Sequence, residues 1–210
     1  MNTHPNITII DYGAGNLTSI VNMLRKIGYA SKISKSPEDI RNADKLILPG
    51  VGHFDYGMQK LNESGLVEVL NEEVLVKKKP ILGICLGVQL LTEGSDEGSA
   101  PGLGWVKGRT VQFDRSRLSE EEKIPHMGWT DLHNYKSEGL LSGMHDHPRF
   151  YFVHSFHLQL ENPSDVLATA MYGYEFAVGI EHENILGVQF HPEKSHRFGM
   201  KLFENYLTLY

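Results

Sequence analysis

Cys85 is the side chain in this sequence best suited to act as a nucleophile. It lies in the run Gly83-Ile84-Cys85-Leu86-Gly87, inside an apolar stretch that begins at Pro80. A G-x-C-x-G run between a strand and a helix is typical of a sharp nucleophile elbow, where a side chain at either glycine would crowd the neighbouring strand or helix. Such a turn places the sulfur above the carboxyl end of a sheet and at a helix N-terminus, which favours the thiolate. The alternative is a small buried apolar residue, a frequent role of free cysteine.

His191 and Glu193 supply the two groups that a weakly ionised thiol needs. A free thiol has a pKa of about 8.5, so a nearby base is required at neutral pH. Pro192 biases His191 toward extended backbone, in which residues two apart face the same side. Glu193 could therefore hold the ring, which completes a predicted catalytic triad of Cys85, His191 and Glu193. The simpler alternative is a surface histidine at a strand end, followed by a Pro-Glu turn.

Glycines flank Val51 just after another predicted strand, 45–48, comes to an end. Without side chains at Gly50 and Gly52, the backbone N–H groups can approach a substrate closely. An N–H of Val51 or Gly52, together with that of Leu86, is predicted to bind the oxyanion of a tetrahedral intermediate. The alternative is a glycine-rich turn or a weak phosphate loop, although the run lacks the Lys-Ser/Thr of a P-loop.

Alternating strand-like and helix-like segments in the first half of the chain would position these groups. Predicted strands cover 7–10, 30–34, 45–48 and 80–85, and predicted helices cover 17–27, a short segment from 37, 66–76 and 86–93. Asn16 is predicted to cap the first helix. This alternation predicts a parallel sheet with helices on both faces.

The second half is richer in strands, which makes the predicted sheet a mixed one. Strands are predicted at 109–113, 130–132, 149–153, 166–171, 177–182 and 185–190, and a final helix at 197–209. The polar stretch 94–101 and the charged stretch 115–123 are predicted to be exposed loops. Residues 1–210 are therefore expected to form a single α/β domain around a central, mostly parallel mixed sheet.

The composition argues against several other classes of protein. A net charge of −6 disfavours non-specific binding to nucleic acid or to an anionic membrane surface. The chain has one cysteine, so it cannot form an internal disulfide. With no signal peptide visible in residues 1–5, this cysteine usage indicates a cytoplasmic protein. The apolar runs are too short to span a bilayer. His145-Asp146-His147 lacks an obvious third ligand, so no metal is expected.

Six segments resemble the class I, or triad, glutamine amidotransferases, and among these the glutaminase subunits of imidazole glycerol phosphate synthase. The segments are Asp11-Tyr12-Gly13-Ala14-Gly15-Asn16, Pro49-Gly50-Val51-Gly52-His53-Phe54, Gly83-Ile84-Cys85-Leu86-Gly87-Val88-Gln89, Pro125-His126-Met127-Gly128-Trp129, Tyr151-Phe152-Val153-His154-Ser155 and Gln189-Phe190-His191-Pro192-Glu193-Lys194-Ser195. Each segment is modest evidence alone. In this order over essentially the whole chain they are very specific.

The resemblance implies a flavodoxin-like fold and the hydrolysis of glutamine without a cofactor. Cys85 would attack the side-chain amide and form a γ-glutamyl thioester. His191, oriented by Glu193, would protonate the leaving ammonia and then activate water. The residues expected to bind the substrate glutamine are Gly52, Gln89, Glu97, Ser155 and Phe156.

The resemblance also implies a partner. The chain would form a heterodimer with a (βα)8-barrel synthase subunit of histidine biosynthesis, and ammonia would pass to it through a channel. Asn16, Trp129 and Lys194 would lie near the mouth of that channel. The oxyanion loop 49–52 would be set correctly only when the partner and its ligand are bound. Flanking glycines make the required peptide flip cheap.

Some residues depart from the usual pattern of these subunits. They are Val88, Trp105, Thr130 and the run 195–199, and we expect them to lie toward the channel and the partner. Three alternatives therefore stay open. The chain could feed ammonia to a sugar amidotransferase of surface polysaccharide assembly, act as an independent cysteine hydrolase of similar fold, or serve as a non-catalytic scaffold.

Overall fold

An eleven-stranded mixed sheet forms the centre of the computed structural model, which describes residues 4–210. Its strands are Ile7–Ile10 (β1), Ser31–Ser34 (β2), Lys45–Gly50 (β3), Ile81–Cys85 (β4), Gly108–Gln112 (β5), His126–Tyr135 (β6), Arg149–His154 (β7), Phe156–Leu160 (β8), Val166–Tyr172 (β9), Tyr174–His182 (β10) and Ile185–Val188 (β11). The expectation about a signal peptide falls partly on Met1–Thr3, which lie outside the described residues.

Six α-helices accompany these strands within residues 4–210. They are Leu17–Lys26 (α1), Pro37–Asn42 (α2), Phe54–Glu63 (α3), Val67–Leu70 (α4), Leu86–Leu90 (α5) and His196–Leu209 (α6). A π-helical stretch, Asn71–Val76, continues α4. In this described part of the chain, no helix combines the length and the apolar character needed to cross a membrane.

The middle of the sheet is parallel. Strands β2, β1, β3, β4 and β11 lie side by side in that order, and each pairs with its neighbour in parallel. Antiparallel strands β10, β9, β6 and β7 continue the sheet, and β8 joins β10 to β5. The parallel strands share one carboxyl edge, where open α/β folds bind their ligands.

Helices cover both faces of the parallel strands, as predicted. Successive residues of β3 point to opposite sides, so that Ile47 packs in one apolar cluster while Leu46 and Leu48 pack in the other. The first cluster includes side chains from α1 and α6, and the second includes side chains from α2, α3, α4 and α5. The middle of a strand that is buried on both sides must be apolar, which explains the run Leu46-Ile47-Leu48.

Two predicted helix features are wrong. The helix predicted at 86–93 ends at Leu90, because the hydroxyl of Thr92 donates to the carbonyl of Gln89 and the N–H of Glu93 donates to the carbonyl of Gly108. These bonds turn the chain toward β5. Asn16 does precede α1, but its side chain makes no capping hydrogen bond.

Helix α3 and strand β8 were not predicted from the sequence. Phe54, Met58 and Leu61 form the buried stripe of α3, at spacings of four and three. The carboxylate of Asp55 accepts hydrogen bonds from the N–H groups of Ser99 and Ala100. The loop 94–101 is therefore tied to α3 rather than simply exposed.

Helix α6 packs closely on the turn that follows β11. A Cβ atom added to Gly199 would lie 1.8 Å from the carbonyl oxygen of Pro192. No side chain fits at that distance, so glycine allows the helix to support the turn that carries His191 and Glu193.

We predict that Gly199→Ala lowers the free energy of unfolding by about 1–3 kcal/mol, because the added methyl group must push α6 away from the turn. The loss should occur although alanine is the better helix former. Denaturant titration measures it. Gly94→Ala is the matched control, since its nearest neighbouring atom would lie 3.9 Å away. Equal unfolding free energies for the Gly199 variant and the wild type would refute the close contact.

Candidate active site

Cys85 lies at the carboxyl edge of the parallel strands, between β4 and α5. Its backbone has φ 55° and ψ −113°, a left-handed conformation that costs a non-glycine residue about 1–3 kcal/mol. The residue is 8% exposed. The strand partners of β4 are β3 on one side and β11 on the other. This edge therefore receives side chains from three neighbouring strand ends.

The two glycines of the elbow are required by close backbone contacts. A Cβ atom on Gly83 would lie 2.9 Å from the backbone of Val88 in α5. One on Gly87 would lie 1.8 Å from the carbonyl oxygen of Leu48 in β3. The predicted crowding of helix and strand is confirmed by these distances. The tight packing holds Cys85 in its strained conformation.

His191 follows β11 and is held by Glu193. Its Nδ1 lies 2.8 Å from Oε1 of Glu193, and the two side chains are 4% and 3% exposed. The backbone of His191 is extended, as Pro192 predicted, and its N–H donates to the carbonyl of Tyr151 at 2.9 Å. The hydroxyl of Ser195 donates to the His191 carbonyl at 2.7 Å. The ring is thus fixed through both its side chain and its backbone.

The charge of His191 depends on its two neighbours. Burial disfavours a charged imidazole, but the sulfur of Cys85 and the carboxylate of Glu193 outweigh this effect and raise the pKa of His191 to about 10. Nε2 completes no hydrogen bond with good geometry to any of residues 4–210. The sulfur of Cys85 still raises the pKa of the ring, both as a hydrogen-bond partner and through its charge. Since Nδ1 is held by Glu193, Nε2 is the atom free to exchange a proton.

One cavity of about 350 Å³ brings together the sulfur, the imidazole and the residues predicted to bind glutamine and its oxyanion. Its lining consists of Val51, Gly52, Cys85, Leu86, Gln89, Glu97, Pro125, Val153, His154, Ser155, Phe156 and His191. Leu86 is the first residue of α5, and N–H groups in the first turn have no partner within the helix. Such a cavity can hold a small metabolite beside a nucleophile, a base and N–H donors.

A larger cavity of about 720 Å³ lies between the loop 94–101 and the strands β5 and β8. Its charged lining residues are Glu93, Arg109 and Glu161. Neither cysteine nor histidine lines it, so we place the chemistry in the smaller cavity.

Two glutamines connect the cavity wall to the sulfur. Nε2 of Gln89 donates to Oε1 of Gln189 at 3.0 Å, and Nε2 of Gln189 lies 3.9 Å from the sulfur of Cys85 as a donor. Gln189 is fully buried, and the sequence analysis gave it no role. The signal was available, because a polar side chain between apolar residues at the end of a buried strand must find a partner.

The carboxylate of Glu97 is fixed by the start of α3. Its Oε2 accepts a hydrogen bond from the backbone N–H of Phe54 at 2.8 Å. Glu97 therefore reaches the cavity from a loop that is anchored at its other end by Asp55.

The comparison of sequences decides the family. The chain matches the family Glutamine amidotransferase class-I over residues 8–208. It belongs to the class-I glutamine amidotransferases. The family predicted from the six segments is thereby confirmed.

Curated relatives and solved structures agree with this membership. Imidazole glycerol phosphate synthase subunit HisH 2 of Pseudomonas aeruginosa is 49% identical over 203 residues, which cover 97% of this chain and 99% of that protein. The protein of the same name from Methanococcus maripaludis is 50% identical over 201 residues, covering 96% and 98%. The structure of PurLQS from Thermotoga maritima has a TM-score of 0.72 at 19% identity and covers 99% of both chains. The predicted flavodoxin-like fold is confirmed.

In this amidotransferase, the three residues predicted to face the channel lie outside the cavity. Trp129 is 37% exposed, and its ring is stacked on that of His196 with 5.6 Å between centroids. It also contacts Tyr151, over whose ring the ammonium group of Lys194 lies at 5.7 Å. Asn16 directly precedes α1, which packs against the turn that contains Lys194. The three positions thus belong to one side of the molecule.

The expectation that all unusual residues face the channel and the partner is wrong for two of them. Val88 is fully buried against β11, where a Cβ on Gly187 would lie 2.3 Å from its side chain. Trp105 is also buried, and its Nε1 donates to Asn71 at 2.8 Å. Only Thr130 and the start of α6 lie beside Trp129.

Among residues 4–210, no three His, Cys, Asp or Glu side chains come together in a way that could hold a metal ion. The ring of His145 instead packs edge-on against Phe198, with 5.9 Å between centroids.

We predict that Cys85→Ala lowers the pKa of His191 well below its wild-type value of about 10. Removing the sulfur removes a hydrogen-bond and charge partner that favours the imidazolium, while burial continues to disfavour it. Histidine NMR titration of both proteins measures the change. The wild-type ring should stay protonated through neutral pH and lose its proton near pH 10. A titration that is the same with and without the sulfur would contradict the electrostatic pairing.

Proposed function

We propose that this chain is the glutaminase subunit of an imidazole glycerol phosphate synthase. It hydrolyses glutamine to glutamate and delivers the ammonia to a synthase subunit in histidine biosynthesis. The observation that carries the proposal is the cavity in which Cys85 and His191 meet the residues expected to bind glutamine. The names of the two relatives that are about half identical over nearly the whole chain support the choice of acceptor.

The first half of the reaction forms a thioester. The thiolate of Cys85 attacks the side-chain amide carbon of glutamine, and the N–H of Leu86 with that of Val51 or Gly52 binds the developing oxyanion. The imidazolium of His191 donates its Nε2 proton to the amide nitrogen, which leaves as ammonia. Each buried donor of this kind typically contributes about 10²–10³ in rate.

The second half returns the enzyme to its starting state. His191, now neutral, accepts a proton from water through Nε2 as the water attacks the γ-glutamyl thioester carbonyl. The carbon–sulfur bond breaks, glutamate leaves, and the thiolate and imidazolium are restored. Glu193 holds the ring through Nδ1 in both steps. It also stabilises the positive charge that the ring carries before the first step and again after the second.

The ammonia must leave without mixing with solvent, which requires a partner at the side of the molecule that carries Trp129. We place a (βα)8-barrel synthase subunit there, with Asn16, Trp129 and Lys194 around the mouth of the channel. Val51 is 45% exposed and Gly52 has a φ of 108°. Such a loop can change its setting when a partner docks, because its glycines adopt either peptide orientation at little cost. Activity of the isolated chain is then low.

A sugar amidotransferase is the second candidate acceptor. Both relatives are numbered as the second subunit of that name in their organisms. The unusual residues Thr130 and His196 lie next to Trp129, on the side proposed to contact the acceptor subunit. They would suit a different partner without any change in the glutamine chemistry.

We predict that Cys85→Ala and Cys85→Ser each reduce ammonia release from glutamine by at least about a thousandfold. Both variants remove the thiolate, and serine keeps the shape of the side chain. A coupled assay for free ammonia measures the rates. Since the chain contains one cysteine, labelling with iodoacetamide reports on this sulfur alone, and prior labelling should abolish the activity of the wild type. Ammonia release that persists in either variant would remove the proposed mechanism.

The acceptor is tested by adding purified candidate partners to the wild-type chain. A (βα)8 synthase with its substrate-analogue ligand should increase glutamine hydrolysis by at least about tenfold, as expected for a coupling of 1–3 kcal/mol. A sugar amidotransferase should leave the rate unchanged. The reverse result supports the second acceptor. Full activity of the chain alone, with peptides hydrolysed as well, would instead indicate an independent hydrolase.

A further inference from the structure

Two buried histidines form a hydrogen-bonded chain beside the cavity. Nδ1 of His126 lies 2.9 Å from Nε2 of His154, and Nε2 of His126 lies 2.8 Å from the hydroxyl oxygen of Thr130. Nδ1 of His154 lies 2.7 Å from the carbonyl oxygen of Phe156. His126 and His154 are direct cross-strand neighbours in β6 and β7. The chain therefore runs across two strands, from Thr130 to Phe156.

The direction of every bond in this chain follows from its last acceptor. A carbonyl oxygen can only accept, so Nδ1 of His154 must carry a proton. Because burial keeps the His154 ring neutral, its Nε2 is an acceptor. Nδ1 of His126 is then the donor to His154, and Nε2 of His126 accepts from the hydroxyl of Thr130. Both imidazoles are neutral in this arrangement, and both have the proton on Nδ1.

The surroundings make any other arrangement costly. The ring of His126 lies 4.3 Å from that of Tyr172 and 5.1 Å from that of Phe152, between centroids. The ring of Phe113 lies 5.3 Å from that of His154. Burial lowers the pKa of His126 to about 4 and that of His154 to about 3. In such an apolar environment an unpaired ring nitrogen has no water to bind, so the chain tends to stay complete.

The chain ends at the bend that faces the glutamine cavity. Strand β7 ends at His154 and β8 begins at Phe156, with Ser155 between them. The hydrogen bond from Nδ1 of His154 to the carbonyl of Phe156 spans Ser155 and holds this bend closed. His154, Ser155 and Phe156 all line the cavity.

We propose that Thr130, His126 and His154 act as positioning residues, whose directional hydrogen-bond chain holds the Ser155–Phe156 bend in the shape that binds glutamine. This inference rests on the proposed glutaminase function. The outer end of this hydrogen-bond chain is the hydroxyl of Thr130, a half-buried residue that follows Trp129 on β6. The glutamine-binding bend is therefore connected to the strand that carries the proposed partner-facing residue.

His126→Phe tests the chain directly. Phenylalanine fills the same aromatic surroundings but cannot donate to His154, so the bend loses its support. We expect KM for glutamine to rise about tenfold, the loss of one buried hydrogen bond, with kcat changed by less than about twofold. Alkylation of Cys85 by iodoacetamide without glutamine should keep its wild-type rate, because the sulfur and His191 are not part of the chain.

Thr130→Val provides a second variant at a half-buried site where folding is not at risk. It removes only the hydroxyl, and KM should rise about threefold, while Thr130→Ser restores the donor and the wild-type KM. Thr208→Val is the matched control. Its hydroxyl makes an exposed bond to the carbonyl of Glu204 on α6, so its KM should equal that of the wild type. Equal KM values for Thr130→Val and the wild type would overturn the proposal. The proposal would also be overturned if iodoacetamide alkylated Cys85 in Thr130→Val more slowly than in the wild type, by a factor as large as the rise in KM.

The proton positions give a test that does not require catalysis. Long-range ¹H–¹⁵N NMR spectra of the wild-type chain should show His126 and His154 as neutral rings protonated at Nδ1. A neutral His154 ring protonated at Nε2 instead of Nδ1 would contradict the hydrogen-bond directions derived above and refute the proposal. A wild-type chain that shows the expected protons but releases no ammonia from glutamine would refute the proposed function instead. The two failures are therefore distinguishable.

Discussion

The turn from β4 into α5 can form only where two side chains are missing. At Gly83 and Gly87 the backbone of the helix and that of the neighbouring strand come closer than any Cβ atom allows. This contact forces Cys85 into a left-handed conformation. Strain of about 1–3 kcal/mol is small beside the packing of apolar strands and helices that imposes it. The position of the sulfur is therefore a property of the whole sheet rather than of the local sequence.

The second requirement is electrostatic. A buried imidazole would normally lose its proton, since burial penalises the charged form. Here the Cys85 sulfur and the Glu193 carboxylate reverse that preference for His191. The three groups therefore depend on one another, because removing either Cys85 or Glu193 would lower the pKa of His191. Gln189, the residue directly after β11, adds an N–H directed at the sulfur. A neutral donor of this kind favours the thiolate without adding a charge that would compete with His191.

Local patterns predicted the parts of the site that short stretches of chain determine. The elbow follows from glycine spacing. The pairing of His191 with Glu193 was predicted from extended backbone, but only His191 is extended, and a 3-10 turn over Pro192–Lys194 brings the carboxylate to the ring. The pairing of His126 with His154 could not be predicted in this way, because it depends on the register between β6 and β7. The positions of Val88 and Trp105 were wrong for a similar reason. Resemblance indicates that a residue is unusual, but only packing shows which side of the sheet it occupies.

Strand β6 has two roles that its sequence does not separate. Trp129 and Thr130 are adjacent on it, so their side chains point to opposite faces. The ring of Trp129 meets His196 on the outside, whereas the hydroxyl of Thr130 meets His126 within the aromatic cluster. A small twist of this strand would move both side chains together. Both nitrogens of each histidine ring are hydrogen-bonded, so neither ring can turn without breaking a bond. A displacement of Thr130 would therefore be passed through His126 and His154 to the bend at Ser155.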